Sequence, residues 1–162
     1  MSGAFRSVTE RNKDTVRRFA KAFEQEDEAT VRSLFAPNFR RIYNFTQKQN
    51  ADNFIRHMKE AHAALVDIDI FQLQTIAEGD TVVTVATGIA RQRSDLKVHQ
   101  VVAITVYNID DDGKILTMIE ADDIPTRRLE SAGLARRTPE ESSKPGMRAR
   151  LALLQNNLRK SN

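Results

Sequence analysis

The sequence contains no cysteine, which excludes a disulfide framework, a thiolate nucleophile and a cysteine-based zinc site. It has no apolar run of about 18 residues, the length that a membrane-spanning helix needs. It also has no apolar segment near Met1 of the kind that signal peptides carry. We therefore expect a cytoplasmic protein with no membrane partner.

The composition that remains is typical of one globular domain. The chain has 162 residues, of which 40% are hydrophobic and 29% are charged. This length is enough to bury a sizeable core, and this balance of residue types argues against wholesale disorder.

The basic charge is confined to the end of the chain. The first 124 residues carry 16 basic against 19 acidic residues, whereas residues 125–162 carry 9 against 3. A nucleic-acid-binding face would interleave basic with aromatic residues, and residues 125–162 contain no aromatic residue. We therefore expect no specific nucleic-acid partner.

Three helices are predicted in the first half of the chain. Apolar residues at helical spacing predict a helix over 11–24 and another over 52–65. Between them, Asp27 is the expected N-cap of a short helix that ends before Pro37. A short strand is predicted over 39–43.

The hydrophobic period then changes to two and predicts four strands, over 67–77, 81–93, 96–109 and 114–123. Helices followed by an antiparallel meander indicate an α+β domain, placed at 10–133, with the helices on one sheet face. Residues 1–9 are interpreted as an N-terminal extension. Residues 134–162 are interpreted as a basic linker and a C-terminal helix, which is either a packed or partly disordered tail or a partner-binding helix.

The turn positions predict which residues of neighbouring strands lie opposite each other. A turn at Ser94 and Asp95 places Ala90 opposite His99. A turn at 110–113 places Ala103 opposite Glu120 and Val101 opposite Asp122, so that His99 becomes a diagonal neighbour of Asp122.

The two faces of this predicted sheet differ in kind. One face has a floor of small or modest side chains with polar groups at its edges, and this predicts a small-molecule pocket. The floor residues are Ala86, Gly88, Ala90, Val101 and Ala103. The other face is apolar, and we expect a second copy of the chain to cover it. Its residues are Val83, Val85, Thr87, Ile89, Val98, Val102, Ile104, Val106, Ile115, Thr117 and Ile119.

Three segments, 15–45, 51–58 and 106–123, resemble the SnoaL-like and ketosteroid-isomerase-like proteins of the nuclear-transport-factor-2-like superfamily. The resemblance implies a cone-shaped α+β barrel, in which N-terminal helices pack on a curved, mostly antiparallel sheet that encloses a pocket. It also implies a homodimer. It does not imply one activity, because the family includes isomerases, cyclases, dehydratases, hydrolases and non-catalytic binders.

The resemblance excludes one activity and suggests another. Tyr43, Phe19 and Thr105 stand where ketosteroid isomerases carry their base and their two oxyanion-hole acids, so steroid isomerisation is not expected. SnoaL-like cyclases use a histidine and an aspartate as acid and base. His99 and Asp122 are the candidates of those types here.

The candidate catalytic residues are therefore Asp122, His99, Glu120, Tyr43 and Arg41. Two carboxylates in one cavity can divide the acid and base roles, and Arg41 can hold a carboxylate or a substrate oxyanion. The structural alternative is that Glu120 pairs with Arg41 and that Asp122 solvates the strand end. The expected pocket lining is Phe19, Phe23, Phe35, Phe54, Met58, Thr105, Tyr107 and Met118.

Two functional classes follow from these residues. The first is a cofactor-free and metal-free acid–base enzyme of the cyclase, isomerase or dehydratase type, acting on an apolar, oxygenated small molecule. The second is a non-catalytic module of the same fold that binds a small molecule or a protein.

Overall fold

The computed structural model describes residues 7–44 and 46–122. The predicted linker and C-terminal helix at 134–162, and the predicted domain boundary at 133, lie outside the described residues. The helices are α1 Val8–Glu24, α2 Glu28–Leu34 and α3 Ala51–Ala64. The strands are β1 Phe35–Tyr43, β2 Gln47–Gln49, β3 Leu65–Glu78, β4 Thr81–Gln92, β5 Val98–Ile109 and β6 Ile115–Asp122.

Each helix begins at a side chain that caps it. The Ser7 side chain accepts a hydrogen bond from the backbone of Glu10, which starts α1 three residues before the predicted position. Asp27 caps α2 as predicted, by accepting from the backbone of Thr30. Asn50 caps α3. The three predicted helices are therefore confirmed, with small changes at their ends.

The strands form one six-stranded sheet in the order β2-β1-β6-β5-β4-β3. Strand β1 runs parallel to β6, and all other neighbours are antiparallel. This mixed sheet is not closed, and with the helices it confirms the predicted α+β class. Strand β2 was not predicted, because three polar residues give no readable hydrophobic period.

The core lies between the helices and one face of the sheet, which we call the inner face. Residues from α1, α2, α3 and the inner face form one buried cluster of mostly aromatic and branched side chains. Polar contacts fix α1 over the hairpin turns. Asn12 donates to the Gly79 carbonyl at 3.0 Å, and the Thr15 hydroxyl donates to the Gly113 carbonyl at 3.1 Å.

The predicted register is confirmed for β4 and β5 and is wrong for β5 and β6. Ala90 lies opposite His99 as expected. In the second pair, a bulge makes Asn108 lie opposite Thr117 while Ile109 lies opposite Ile115, which leaves Leu116 as an extra residue. The predicted register implies Ile109 opposite Lys114, so the turn shifts the pairing by one residue, the bulge adds a second, and every later pair is displaced by two. The shift places Thr105 opposite Glu120 and Ala103 opposite Asp122.

A shift of two residues leaves the later side chains on their predicted face, because side chains alternate along a strand. Glu120 and Asp122 therefore stay on the inner face. Ile115 precedes the bulge and does not follow this rule. It was predicted on the apolar outer face, and that prediction is wrong, because Ile115 is fully buried in the core.

The outer face of the sheet remains partly exposed. Ile76, Val102 and Ile104 lie on it and are 57%, 38% and 52% exposed. None of the described helices is both long enough and apolar enough to span a membrane.

Candidate functional site

A polar cluster lies on the inner face, where β1 and β6 end. The two strands are parallel, so their carboxyl ends meet at the same edge of the sheet. Tyr43 lies opposite Glu120, and Asn44 and Asp122 follow at the two strand ends. This pairing brings together polar residues that are nearly 80 positions apart in the chain.

Asp122 is held by both of its carboxylate oxygens. The Tyr43 hydroxyl donates to Oδ2 at 2.5 Å, and the Asn44 side-chain amide donates to Oδ1 at 3.0 Å. The Asn44 side-chain oxygen in turn accepts from the Asp122 backbone at 3.1 Å. Asn44 adopts a left-handed backbone conformation with φ of 49°, which asparagine tolerates better than most residues. The direction of the carboxylate is therefore fixed by its neighbours on β1.

Glu120 forms a buried ion pair with Arg41. Arg41 Nη2 donates to Glu120 Oε1 at 2.9 Å, and the side chains are 4% and 15% exposed. Arg41 Nη1 donates to Gln49 on β2 at 3.0 Å. Removal of one partner of such a pair leaves an uncompensated buried charge and costs roughly 3–5 kcal/mol. The pairing of Glu120 with Arg41 is therefore the structural role that the sequence analysis gave as the alternative to catalysis.

Aromatic rings surround the Arg41 guanidinium. Its central carbon lies 4.4 Å from the centroid of the Tyr43 ring and 5.2 Å from that of Phe54. On α3, the ring of His57 lies 6.2 Å from the Tyr43 ring. The cation is thus held between apolar surfaces with little access to water.

The predicted proximity of His99 to Asp122 is wrong. Asp122 lies opposite Ala103, and His99 is four residues further along β5, which corresponds to about 13 Å. His99 Nε2 lies 3.0 Å from Gln92 Oε1 on β4. The turn before β6 and the bulge at Leu116 are the reason, because each displaces Asp122 by one position from the predicted register.

Most of the expected pocket-lining residues pack against one another. Seven of them are buried: Phe19, Phe35, Phe54, Met58, Thr105, Tyr107 and Met118. Phe23 is partly buried against the same cluster. The Phe19 ring contacts the rings of Phe35, Phe54 and Tyr107, with centroids 5.6–6.0 Å apart. These residues form the apolar wall behind the polar cluster, and their contact with a ligand stays a prediction.

The Tyr107 side chain is buried in this wall. Burial, with a smaller contribution from the Glu120 charge, raises the pKa of Tyr107 well above its ordinary value of 10.0. Hydrogen bonding with Thr105 and Thr84 opposes this shift only in part. Tyr107 therefore stays neutral at physiological pH.

Open space lies over one residue of the predicted floor, Gly88, whereas Ala90 is buried. A Cβ atom added at Gly88 would meet no other atom within 4 Å. Gly88 lies opposite Val101, and the next inner-face pair is Ala86 with Ala103, which itself lies opposite Asp122. The open space at Gly88 thus lies on the same sheet face as the Asp122 carboxylate, two strands away.

A separate groove between α2 and α3 has a volume of about 480 Å³, and neither Glu120 nor Asp122 lines it. Its charged side chains neutralise one another. Arg32 pairs with Glu28 and with Asp52 at 2.8 Å, and Lys59 pairs with Glu28 at 2.6 Å. Hydrogen bonds from Lys59 and Arg32 lower the pKa of Glu28. We interpret this network as surface structure that joins the two helices.

Comparison with known proteins decides the family. The profile of the SnoaL-like domain matches residues 16–118. The chain belongs to the SnoaL-like family. A search of the curated proteins found no match.

Solved structures share the fold of this SnoaL-like domain. A candidate SnoaL-like polyketide cyclase from Jannaschia sp. CCS1 aligns with a TM-score of 0.69 and 20% identity, over 83% of this chain and 100% of that chain. AclR, a candidate hydroxylase from Streptomyces galilaeus, gives 0.70 and 13%, over 80% and 100%. IdmH, a candidate polyketide cyclase from Streptomyces antibioticus, gives 0.68 and 16%, over 75% and 98%.

Sequence reasoning missed three residues of this candidate site. Asn44 follows the last residue of β1, and its importance depends on the parallel pairing of β1 with β6. Gln49 lies on β2, the strand without a period. His57 lies on α3, and its ring is 6.2 Å from that of Tyr43. Its position three residues after Phe54 was the available signal, since that spacing places both near one helix face.

Proposed function

We propose that this SnoaL-like domain is a cofactor-free acid–base enzyme that acts on an apolar, oxygenated small molecule, with Asp122 as the proton acceptor. The observation that carries the proposal is the Asp122 carboxylate itself. It is held in direction by Tyr43 and Asn44, on the helix-covered face of the sheet that also has open space at Gly88.

The proposed step is a proton transfer. The Asp122 carboxylate takes a proton from a carbon next to a carbonyl group of the ligand, and the electron pair of that bond moves into the carbonyl to give an enolate. The protonated carboxyl then returns the proton at another atom of the ligand. Isomerisation, ring closure and loss of water are all built from such paired transfers.

The contacts divide the remaining roles. Tyr43 and Asn44 orient the carboxylate, and positioned donors keep it in one rotamer. Glu120 is occupied by Arg41, so we assign it to the support of the site and not to the chemistry. His99, bonded to Gln92, is proposed as a polar group at the far end of the floor.

The test uses deuterium exchange, which detects the proton transfer itself and does not require the product to be identified. A panel of apolar ketones and polyketide-like compounds is incubated with the protein in D2O, and mass spectrometry measures deuterium incorporated next to each carbonyl. We expect exchange above background for part of the panel. Asp122→Asn keeps the shape of the side chain and lowers exchange by about 100-fold or more.

Asp112→Asn is the matched control, because Asp112 is an exposed carboxylate in the turn before β6. It should leave exchange unchanged. Exchange that persists in Asp122→Asn, with the melting temperature unaltered, would rule out Asp122 as the base.

A non-catalytic binding module is the second candidate function. It is favoured by the fact that both carboxylates already have partners within the fold. Glu120 pairs with Arg41, and Asp122 accepts hydrogen bonds from Tyr43 and Asn44. Native mass spectrometry with the same panel separates the two candidates. A module retains compounds without exchange, and Asp122→Asn then lowers the melting temperature and leaves retention unchanged.

We also propose that two copies of the SnoaL-like domain pack through their outer sheet faces. The support is the exposed apolar surface that includes Ile76, Val102 and Ile104. Contiguous apolar surface of this kind is typical of an interaction site. A twofold contact would bury the same face on both copies.

A further inference from the structure

We propose that Arg41 is a positioning residue, which holds the ring of Tyr43 and thereby keeps the Tyr43 hydroxyl on Asp122. This inference rests on the proposed function and deepens it, because it adds a residue that acts on the proton acceptor through another side chain. Arg41 itself is 3% exposed, so its influence on a ligand passes through its neighbours.

The guanidinium is fixed from both sides of β1. Nη2 donates to Glu120 on β6 at 2.9 Å, and Nη1 donates to Gln49 on β2 at 3.0 Å. The two acceptors lie on the strands that flank β1 on either side, so the two hydrogen bonds determine the plane of the guanidinium as well as its position. A lysine ammonium is a compact point charge and cannot reproduce this planar arrangement.

The fixed plane covers one face of the Tyr43 ring. Arg41 and Tyr43 are two residues apart on β1, so their side chains point to the same side of the sheet. The guanidinium carbon lies 4.4 Å from the Tyr43 centroid, within the distance of a cation–π contact. Phe54 lies 5.2 Å away and keeps the guanidinium in place. The ring is therefore held while its hydroxyl donates to Asp122.

One unsatisfied donor supports this interpretation. An arginine that serves only to neutralise a carboxylate can present two N–H groups to it side by side. Here Nη2 bonds Glu120, whereas the buried Nε has no hydrogen-bond partner among the residues that the structure describes. A buried donor without a partner is costly and requires an explanation. Contact with the Tyr43 ring provides one.

The two tyrosines of the chain allow a direct test. The sequence contains only Tyr43 and Tyr107, so protein labelled with ¹³C at the phenol carbon Cζ gives two NMR signals. Tyr107→Phe assigns them. The Cζ shift responds to hydrogen bonding of the hydroxyl. Tyr107 lies in the core, and its signal therefore reports whether each variant is folded.

Arg41→Lys is the decisive variant, because it keeps a cation beside Glu120 and loses the planar contact with Tyr43. We expect the Tyr43 signal to move by more than half of the change seen in Asp122→Asn, with the Tyr107 signal in place. Arg40→Gln is the matched control. Arg40 is the preceding arginine on β1, is exposed, and should move neither signal.

An unmoved Tyr43 signal in folded Arg41→Lys overturns the proposal, because neutralisation of Glu120 is then the whole role of Arg41. If that variant unfolds, Arg41→Gln/Glu120→Gln replaces it, since the double variant leaves no unpaired charge. An unmoved Tyr43 signal in the double variant has the same consequence. The readout requires no ligand, so its outcome is independent of the exchange assay on Asp122→Asn.

Discussion

At the residue scale, two glycines next to the inner face have opposite roles. Gly88 lies in the middle of β4 with open space on its inner side, whereas Gly113 lies in the turn before β6. Gly113 has φ of +77°, and an added Cβ would lie 3.3 Å from Arg11 Nε. The first glycine thus leaves open space on the inner face, and the second is required by the left-handed backbone conformation of the turn.

Substitution at these glycines tests the open floor. We expect Gly88→Ala to leave stability unchanged or raise it by roughly 0.5–1 kcal/mol, since glycine weakens a strand interior. Gly88→Phe should fill the open space and abolish exchange or retention of bulky ligands while the fold remains. Gly113→Ala is the contrast and should destabilise by about 1 kcal/mol or more. Urea unfolding and the ligand assays measure the two effects.

Retention of bulky ligands by folded Gly88→Phe would show that the ligand lies elsewhere.

The same residue illustrates what the sequence could reveal about the site. The row of small residues that contains Gly88 was readable, because their alternation along two strands is local. The contacts of Tyr43 with Asp122 were not readable, because they depend on a parallel pairing between distant strands.

At the element scale, the position of α1 depends on polar contacts with two hairpin turns. Asn12 is fully buried and donates to the Gly79 carbonyl. Asn12→Leu should therefore leave that carbonyl without its partner and destabilise the fold by about 1–3 kcal/mol. Arg17→Ala is a control on the exposed side of the same helix. The free energy of unfolding in urea measures both, and equal stabilities would contradict the role assigned to Asn12.

Regular elements were predictable, and irregular ones were not. The stripe of Val16, Phe19 and Phe23 predicted α1, because helical spacing is a property of neighbouring residues. The pairing of β4 with β5 followed from a short turn. The exact turn before β6 and the bulge at Leu116 carry no compositional signal, and the predicted proximity of His99 to Asp122 was lost with them. Strand β2, which supplies Gln49 to the site, was too short to detect.

At the scale of the whole molecule, the outer sheet face predicts a dimer. Ile104 is 52% exposed near the middle of this face. We expect sedimentation at micromolar concentration to give about twice the chain mass of 18.4 kDa. Ile104→Lys should give a folded monomer, because a charge would be desolvated in the apolar contact.

Leu96→Lys is the control for that experiment. Leu96 is 62% exposed but lies in the turn between β4 and β5, not on the sheet face. The variant should sediment like the unaltered protein. A monomer in all three proteins would mean that the outer face has another occupant or none.

The bulge at Leu116 decides which face of the sheet the side chains of Glu120 and Asp122 occupy. Because side chains alternate, an odd change in residue number exchanges the two faces of everything that follows, whereas an even change only displaces it along the strand. If β6 paired without the bulge from Ile115 onward, Ile119 would lie opposite Thr105 and Ala121 opposite Ala103, and Glu120 and Asp122 would face outward. The one-residue bulge therefore absorbs the odd count that would otherwise turn the two carboxylates of the SnoaL-like domain outward.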